Sequence, residues 1–341
     1  MTSVADLVTL FRKQFILCQV HAEETVGVLY EGESRAEYVE AAFAALETLG
    51  CAVFAVRVPS GQRFHAPYVR SGAGPGLTAM DRLPGVIELL KSVNMVVDLT
   101  KEGLIHTLDR EVLLSQGGRV LLVVEPPEVL ARLLPDPEFK EEVMEAAARL
   151  TTARRMHVTS EAGTHLEIDI EGVRGFGQYG MADTPGHWDH WPSGFVACYP
   201  DQSKVHGTIV LMPGDVLLPF KTYVSEPVRV EIKSGVIQSL TGGKDAIMLR
   251  DYLEAAEDPR AWGISHVGWG LLKGAHWGSL VLYDKQQNMG MEVRSVRGNF
   301  MWSTGPNRNA GRLTLAHLDI PMRNCSVYLD EECVVDAGRV L

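Results

Sequence analysis

Short, nearly unbroken apolar runs alternate with helical patterns through the first half of the chain. Residues 95–99 (MVVDL) and 119–124 (RVLLVV) have strand length and are apolar at almost every position. Strands read this way when helices cover both faces, so the runs predict a parallel sheet. Residues 26–30 and 51–58 predict two more strands. Ser34, three residues before Glu37, predicts a capping box for a helix that Gly50 ends in the left-handed region. Further helices are expected over 109–116 and 137–150.

Near Thr151 the pattern changes to short alternating strands separated by Gly, Asp and Ser turns. Residues 228–232 and 236–240 flank Lys233, Ser234 and Gly235 as a hairpin, and 325–329 with 333–336 form another. One helix, over 245–256, interrupts them. The expected fold class is therefore an α/β N-terminal domain with a mainly parallel sheet (1–155) and a β-rich α+β C-terminal domain (156–341). No fixed-period repeat or low-complexity segment is present.

The 341 residues carry 43 acidic and 32 basic side chains, a formal charge of −11, which argues against a nucleic-acid partner. No apolar run approaches the roughly 18 residues needed to cross a bilayer, so no membrane partner is expected. Residues 1–20 lack the ordered features of an export leader. The cysteines, Cys18, Cys51, Cys198, Cys325 and Cys333, are odd in number and never spaced as CxxC. That disfavours a disulfide framework or a thiolate zinc site and fits a reducing cytoplasm.

Several motifs invite chemistry. Gly72, Gly74 and Gly76 suggest a phosphate loop, but Pro75 removes an amide and the preceding strand is indistinct. The first strand's turn, Glu31-Gly32-Glu33, would repel a phosphate, so a nicotinamide cofactor is not expected. His165, Glu167 and Asp169 fall on one face of an alternating segment, opposite Leu166, Ile168 and Ile170. Such a face could hold a metal, but alternation is the ordinary mark of a half-buried strand, and a solvated sheet face is the reading taken. His187, Asp189 and His190 stand in a stretch over 175–194 that matches neither helix nor strand periodicity and reads as a functional loop.

Residues 311–322 (GRLTLAHLDIPM) alternate as a strand, which puts His317 and Asp319 on the same face. With one further histidine they would complete a two-histidine, one-carboxylate triad, which holds iron(II) and leaves three positions open. The competing reading is a hydrogen-bonded core pair.

Four segments carry a wider likeness: GTIVLMPGDVLLP (207–219), SLTGGKDA (239–246), ISHVGWGL (264–271) and AHLDIPM (316–322). In order and spacing they resemble the 2,5-dihydroxypyridine 5,6-dioxygenase family, within the fold family of the thermophilic-type metallo-aminopeptidases, peptidase family M29. The resemblance covers most of the chain and is strongest from about residue 207. It implies a non-haem, Fe(2+)-dependent dioxygenase that opens 2,5-dihydroxypyridine between C5 and C6 to N-formylmaleamic acid, in a homo-oligomer. The peptidases hold two metals with glutamates; here His266, before a Gly-x-Gly turn, replaces one such glutamate and Asp215 another.

A mononuclear site of His266, His317 and Asp319 is what these departures imply. His106, in the loop after the 95–99 strand, is the implied general base. His190 and Ser303 are implied beside the reacting ring, with His187 and Gln178 binding substrate. Trp188, Trp191 and Trp302 could stack on the ring or simply pack. Two rival readings remain at this stage. One is a dinuclear aminopeptidase in which Glu167, His187 or Asp215 holds a second metal, and the other is a non-catalytic binding protein on the same fold.

Overall fold

The first sheet has five parallel strands in the order Ala52–Arg57, Thr25–Tyr30, Met95–Asp98, Arg119–Val123 and Trp188–Trp191. The structure is a computed structural model and describes residues 3–60, 80, 83–101, 104, 105, 107–307, 309–314 and 316–341. Every residue of Met95–Asp98 and Arg119–Val123 is buried, as unbroken apolar runs require. The helices Leu108–Ser115 and Pro137–Thr152 form where expected. Ser34, however, does not cap the helix Ala36–Thr48. Its hydroxyl accepts the Glu31 N–H and donates to the Leu99 carbonyl, each at 2.8 Å. A contact with the next strand's end has taken the group that local pattern assigned to the helix. The Gly50 stop does form, at φ +84°.

The fifth parallel strand corrects the loop expected over 175–194. Gly175–Gln178, Trp188–Trp191 and Phe195–Cys198 are all strands. Each is only four residues long, too short to show a period, and Trp188–Trp191 owes its pairing to Arg119–Val123 beside it. The texture does change after Pro137–Thr152, yet this strand from beyond residue 155 completes the first sheet. Phe11 of the helix Val4–Leu17 packs edge-on against Tyr38 of the helix Ala36–Thr48 and Trp191 of the fifth strand, so this helix is buried against the first sheet layer.

Among the described residues the second half forms a two-stranded sheet, Val216–Leu217 with Thr222–Tyr223, and two large antiparallel sheets. One has eight strands and contains both expected hairpins, Val228–Lys233 with Val236–Gly242 and Cys325–Leu329 with Glu332–Asp336. The other has five strands, in the order Leu318–Met322, Phe300–Thr304, Ile264–Gly270, Phe195–Cys198 and Gly175–Gln178. The strand expected over 311–322 is shorter than its alternation suggested and begins at Leu318. The Gly-x-Gly after His266 is not a turn. Gly268 and Gly270 continue the Ile264–Gly270 strand, and a Cβ on either would collide with a neighbouring carbonyl, of Val196 or Val296.

Glu125, just past the Arg119–Val123 strand, joins the halves. It is fully buried, and its Oε1 accepts the Met289 and Met291 N–H groups at 3.1 and 2.7 Å, while Oε2 has no partner. Burial pushes this carboxyl up to about 7. Because the folded pKa lies above the unfolded one, the native state binds the extra proton and stability falls as pH rises from about 4.5 to 7. Glu125→Gln should therefore be more stable than the parent at pH 8, by up to about 3 kcal/mol, and equal to it near pH 4. Urea unfolding at the two pH values measures this, and a pH-independent difference would contradict it.

Candidate metal centre

Three strands of the five-stranded antiparallel sheet build the centre. A register shift between Ile264 and Val267 sets His266 beside Ser303, and Ser303 pairs directly with Asp319. His317 immediately precedes the third strand. The outcome is that His266 Nε2 and His317 Nε2 lie 3.1 and 3.2 Å from the same oxygen, Asp319 Oδ1, with all three side chains at most 7% exposed.

The local bonds explain why these atoms face one another. His317 Nδ1 sits 2.8 Å from the Thr304 carbonyl. A carbonyl only accepts, so Nδ1 carries the proton and Nε2 presents its lone pair to Asp319. Hydroxyls clamp the backbone of both histidines. Ser303 Oγ accepts the His266 N–H and donates to the His266 carbonyl, while Tyr252 does the same for His317. Asp319 Oδ1 itself has no hydrogen-bond partner, and neither does His266 Nδ1.

Two imidazoles and a carboxylate oxygen converging on one buried point call for a cation. An ion with bonds of about 2.1 Å spaces adjacent donors by about 3.0 Å in an octahedron and about 3.4 Å in a tetrahedron, which brackets the observed spacing. The donor set therefore fits a metal. The electrostatics agree. Burial alone would raise the Asp319 carboxyl, but Arg294, His317 and His266 overcome it and hold the group well below the usual carboxylate range. Burial pushes His266 down, which keeps its ring neutral and able to ligate.

The triad opens onto a cavity of about 510 Å³ between the Trp188–Trp191 strand and the antiparallel sheet. Gln178, His187 and His190 line it. His190 Nδ1 lies 2.6 Å from the Pro192 carbonyl, which leaves Nε2 as the acceptor, 3.4 Å from Ser193 Oγ. Burial lowers His190 to about 4, so it is neutral at pH 7. His187 lies farther out, stacked on Tyr179 with ring centroids 4.9 Å apart and 3.3 Å from Asp189 Oδ2. Asp189 itself is an organiser: it accepts the N–H groups of Tyr179, Gly180 and His190.

Other expectations are corrected or left aside. Ser303 is buried behind the triad, outside the cavity wall, with its hydroxyl spent on the His266 backbone. His106 and Gly72–Gly76 lie outside the described residues. Trp188 lines the cavity beneath Arg110, whose guanidinium carbon sits 4.6 Å from the ring centroid, whereas Trp191 and Trp302 are core residues.

Asp215 holds a turn by accepting the Met212 and Arg323 N–H groups, and Glu167 lies on the exposed face of the other sheet. Neither joins the triad, nor does His187, so the described residues offer no second metal position beside it.

Sequence reasoning missed Arg294, whose Nε lies 2.7 Å from Asp319 Oδ2. It sits in the short helix Met291–Ser295, where nothing local marks it. Its role comes only from the strand that packs beneath.

Comparison with known proteins gives this site a context. The family model described as "NicX: 2,5-dihydroxypyridine 5,6-dioxygenase" matches residues 6–341. The chain belongs to the 2,5-dihydroxypyridine 5,6-dioxygenase family. One relative in it, the 2,5-dihydroxypyridine 5,6-dioxygenase of Pseudomonas putida KT2440, is 41% identical over 344 residues, covering 99% of this chain and 97% of the relative. A solved structure of 2,5-dihydroxypyridine dioxygenase from Pseudomonas putida KT2440 superposes with a TM-score of 0.95 at 40% identity, covering 100% of this chain and 98% of that one. Wild-type AmpT from Thermus thermophilus superposes at a TM-score of 0.66 with 14% identity and 98% coverage of each chain. The fold is thus the M29-like one that the sequence suggested. At 14% identity the likeness to AmpT is one of fold alone. As a member of the dioxygenase family, the chain is an enzyme of the oxidoreductase class. Among the described residues, no helix is long and apolar enough to cross a membrane.

Proposed function

We propose that this chain opens 2,5-dihydroxypyridine between C5 and C6, yielding N-formylmaleamic acid, with iron(II) held by His266, His317 and Asp319. The observation that carries the reading is the convergence of those three donors at the wall of the 510 Å³ cavity in a chain of this family. Two histidines and one carboxylate with positions left open are the ligand set of non-haem iron(II) oxygenases. Iron(II) held there supplies the redox chemistry that joins dioxygen to an electron-rich ring.

The protein's own groups handle binding and protons. A dihydroxypyridine is flat and fits a cavity of this size, which lies in the usual range for small-ligand pockets. Trp188 and Tyr199 provide aromatic surface along its walls. His190 Nε2, fixed as an acceptor by the Pro192 carbonyl, is placed to take a hydrogen bond from a ring hydroxyl. Its low pKa makes it an orienting acceptor at neutral pH more than a store of protons. Gln178 and His187 would add polar contacts along the same cavity. The five cysteines are free, which supports a reducing, cytoplasmic setting.

The test is stoichiometric. Protein loaded with ferrous iron without oxygen, then given 2,5-dihydroxypyridine and air, should consume about one dioxygen per ring opened, as a dioxygenase requires. The product should gain two oxygen atoms by mass spectrometry. Iron-loaded protein that binds the pyridine but takes up no oxygen would overturn the proposal.

A further inference from the structure

A second convergence of metal-binding side chains lies on the exposed face of the eight-stranded antiparallel sheet, on the strands Arg155–Ser160 and His165–Asp169. His157 pairs across the strands with Glu167, and His165 stands two residues along on the same face. The expected solvated face of His165, Glu167 and Asp169 is therefore there, but its membership differs. Asp169 turns to Lys204 at 3.4 Å, and His157 takes its place in the cluster.

His157 Nε2 is 3.3 Å from His165 Nδ1 and 3.4 Å from Glu167 Oε1, and His165 Nε2 is 3.6 Å from that same oxygen. We propose that His157, His165 and Glu167 form a second metal site that takes a borderline divalent cation such as zinc.

Three observations support the site. An ion takes only one nitrogen of His165; with Nδ1 as that donor, the His157–His165 and His157–Glu167 spacings of 3.3 and 3.4 Å match the roughly 3.3–3.4 Å edge of a tetrahedron with bonds of 2.0–2.1 Å, and one donor atom from each of the three residues lies within 4.8 Å of the others. A single cation among the His157 Nε2, one nitrogen of His165 and the Glu167 carboxylate would satisfy all three groups at once. The backbone and a neighbouring ring also preset the geometry. The two strands are joined by a tight turn in which Ser160 and Thr164 bond to each other and Gly163 takes φ +102°, while Tyr328 stacks on the His157 ring with centroids 5.8 Å apart. His206 faces Glu167 from the next strand, but its Nδ1 accepts the Ser234 N–H, so its Nε2 carries a proton and does not ligate.

Histidine and carboxylate on a water-exposed face suit zinc, copper or nickel and leave outer positions for water. The ion would staple the Arg155–Ser160 and His165–Asp169 strands and stabilise the folded state by mass action. This site shares no residue with the buried triad and does not depend on the dioxygenase reading.

The test uses the full chain, stripped of metal and titrated with zinc alone at pH 7.5. Wild-type protein should bind one more zinc per chain than the His157→Ala/His165→Ala variant, and zinc should raise its melting temperature further. Glu167→Gln should weaken that extra zinc without altering the other. With iron supplied, the double variant should keep ring-opening activity, which separates this result from any failure of the buried site. Equal zinc stoichiometry and equal thermal shifts in wild type and double variant would overturn the proposal, showing a hydrogen-bonded histidine pair and no metal site.

Discussion

His317→Ala should leave a folded protein that retains no iron and opens no ring above background. A partner that merely orients a metal ligand costs roughly 10–100-fold in affinity or activity when removed. Loss of a ligand from a three-donor site should exceed that, because two donors cannot hold the ion against water. The tertiary setting sharpens the expectation. Asp319 Oδ1 makes no hydrogen bond and faces both imidazoles, so the remaining pair, His266 and Asp319, is left with half of its convergent geometry. Elemental analysis after anaerobic purification, together with oxygen uptake, checks the result. Full iron content with full activity would show that these donors do not form the centre.

Arg294→Met should have the second-largest effect, and its size should depend on the metal. The guanidinium lies 2.7 Å from Asp319 Oδ2, and both groups are largely buried. Removing one partner of a buried pair typically costs about 3–5 kcal/mol, because the other charge is stranded. In metal-free protein that penalty should appear in full. In loaded protein the ion takes over part of the neutralisation, so the loss should shrink.

The pH response follows from the same contact. Asp319 is held below its ordinary value, so its contribution to stability and to metal binding is present above the unfolded pKa and is lost as pH falls through the folded one. Without Arg294 the carboxyl protonates at higher pH, and the acid limb of activity should move upward. Melting curves with and without iron, and a pH–rate profile, measure both effects. An identical stability loss in both forms and an unmoved acid limb would assign Arg294 to packing alone.

Much of this molecule can be read along the chain. The buried runs at Met95–Asp98 and Arg119–Val123, both hairpins and the Gly50 stop are local patterns, and each formed. The pairing of His317 with Asp319 belongs here too, since groups two residues apart along extended chain share a side whatever surrounds them. Elsewhere the pattern ran out for identifiable reasons. Trp188–Trp191 is a strand because a neighbouring strand offers its edge, not because four residues announce one. Ser34 was the right residue type for a cap, but a closer tertiary acceptor claimed it. Ser303 lies behind the triad, where its hydroxyl holds the backbone of His266, a contact that no local pattern announces.

Linear order thus determined which chemistry was available: imidazoles, a carboxylate and the signature of a dioxygenase family. Only the fold decided which groups meet. Strand order and a register shift of one bulge brought His266 to Asp319, packing carried Arg294 to the same carboxylate, and pairing across a turn added His157 to His165 and Glu167. Periodicity along a chain sets the direction in which a side chain points. The distance between side chains on different strands depends on register and layer packing, and no local repeat encodes either one.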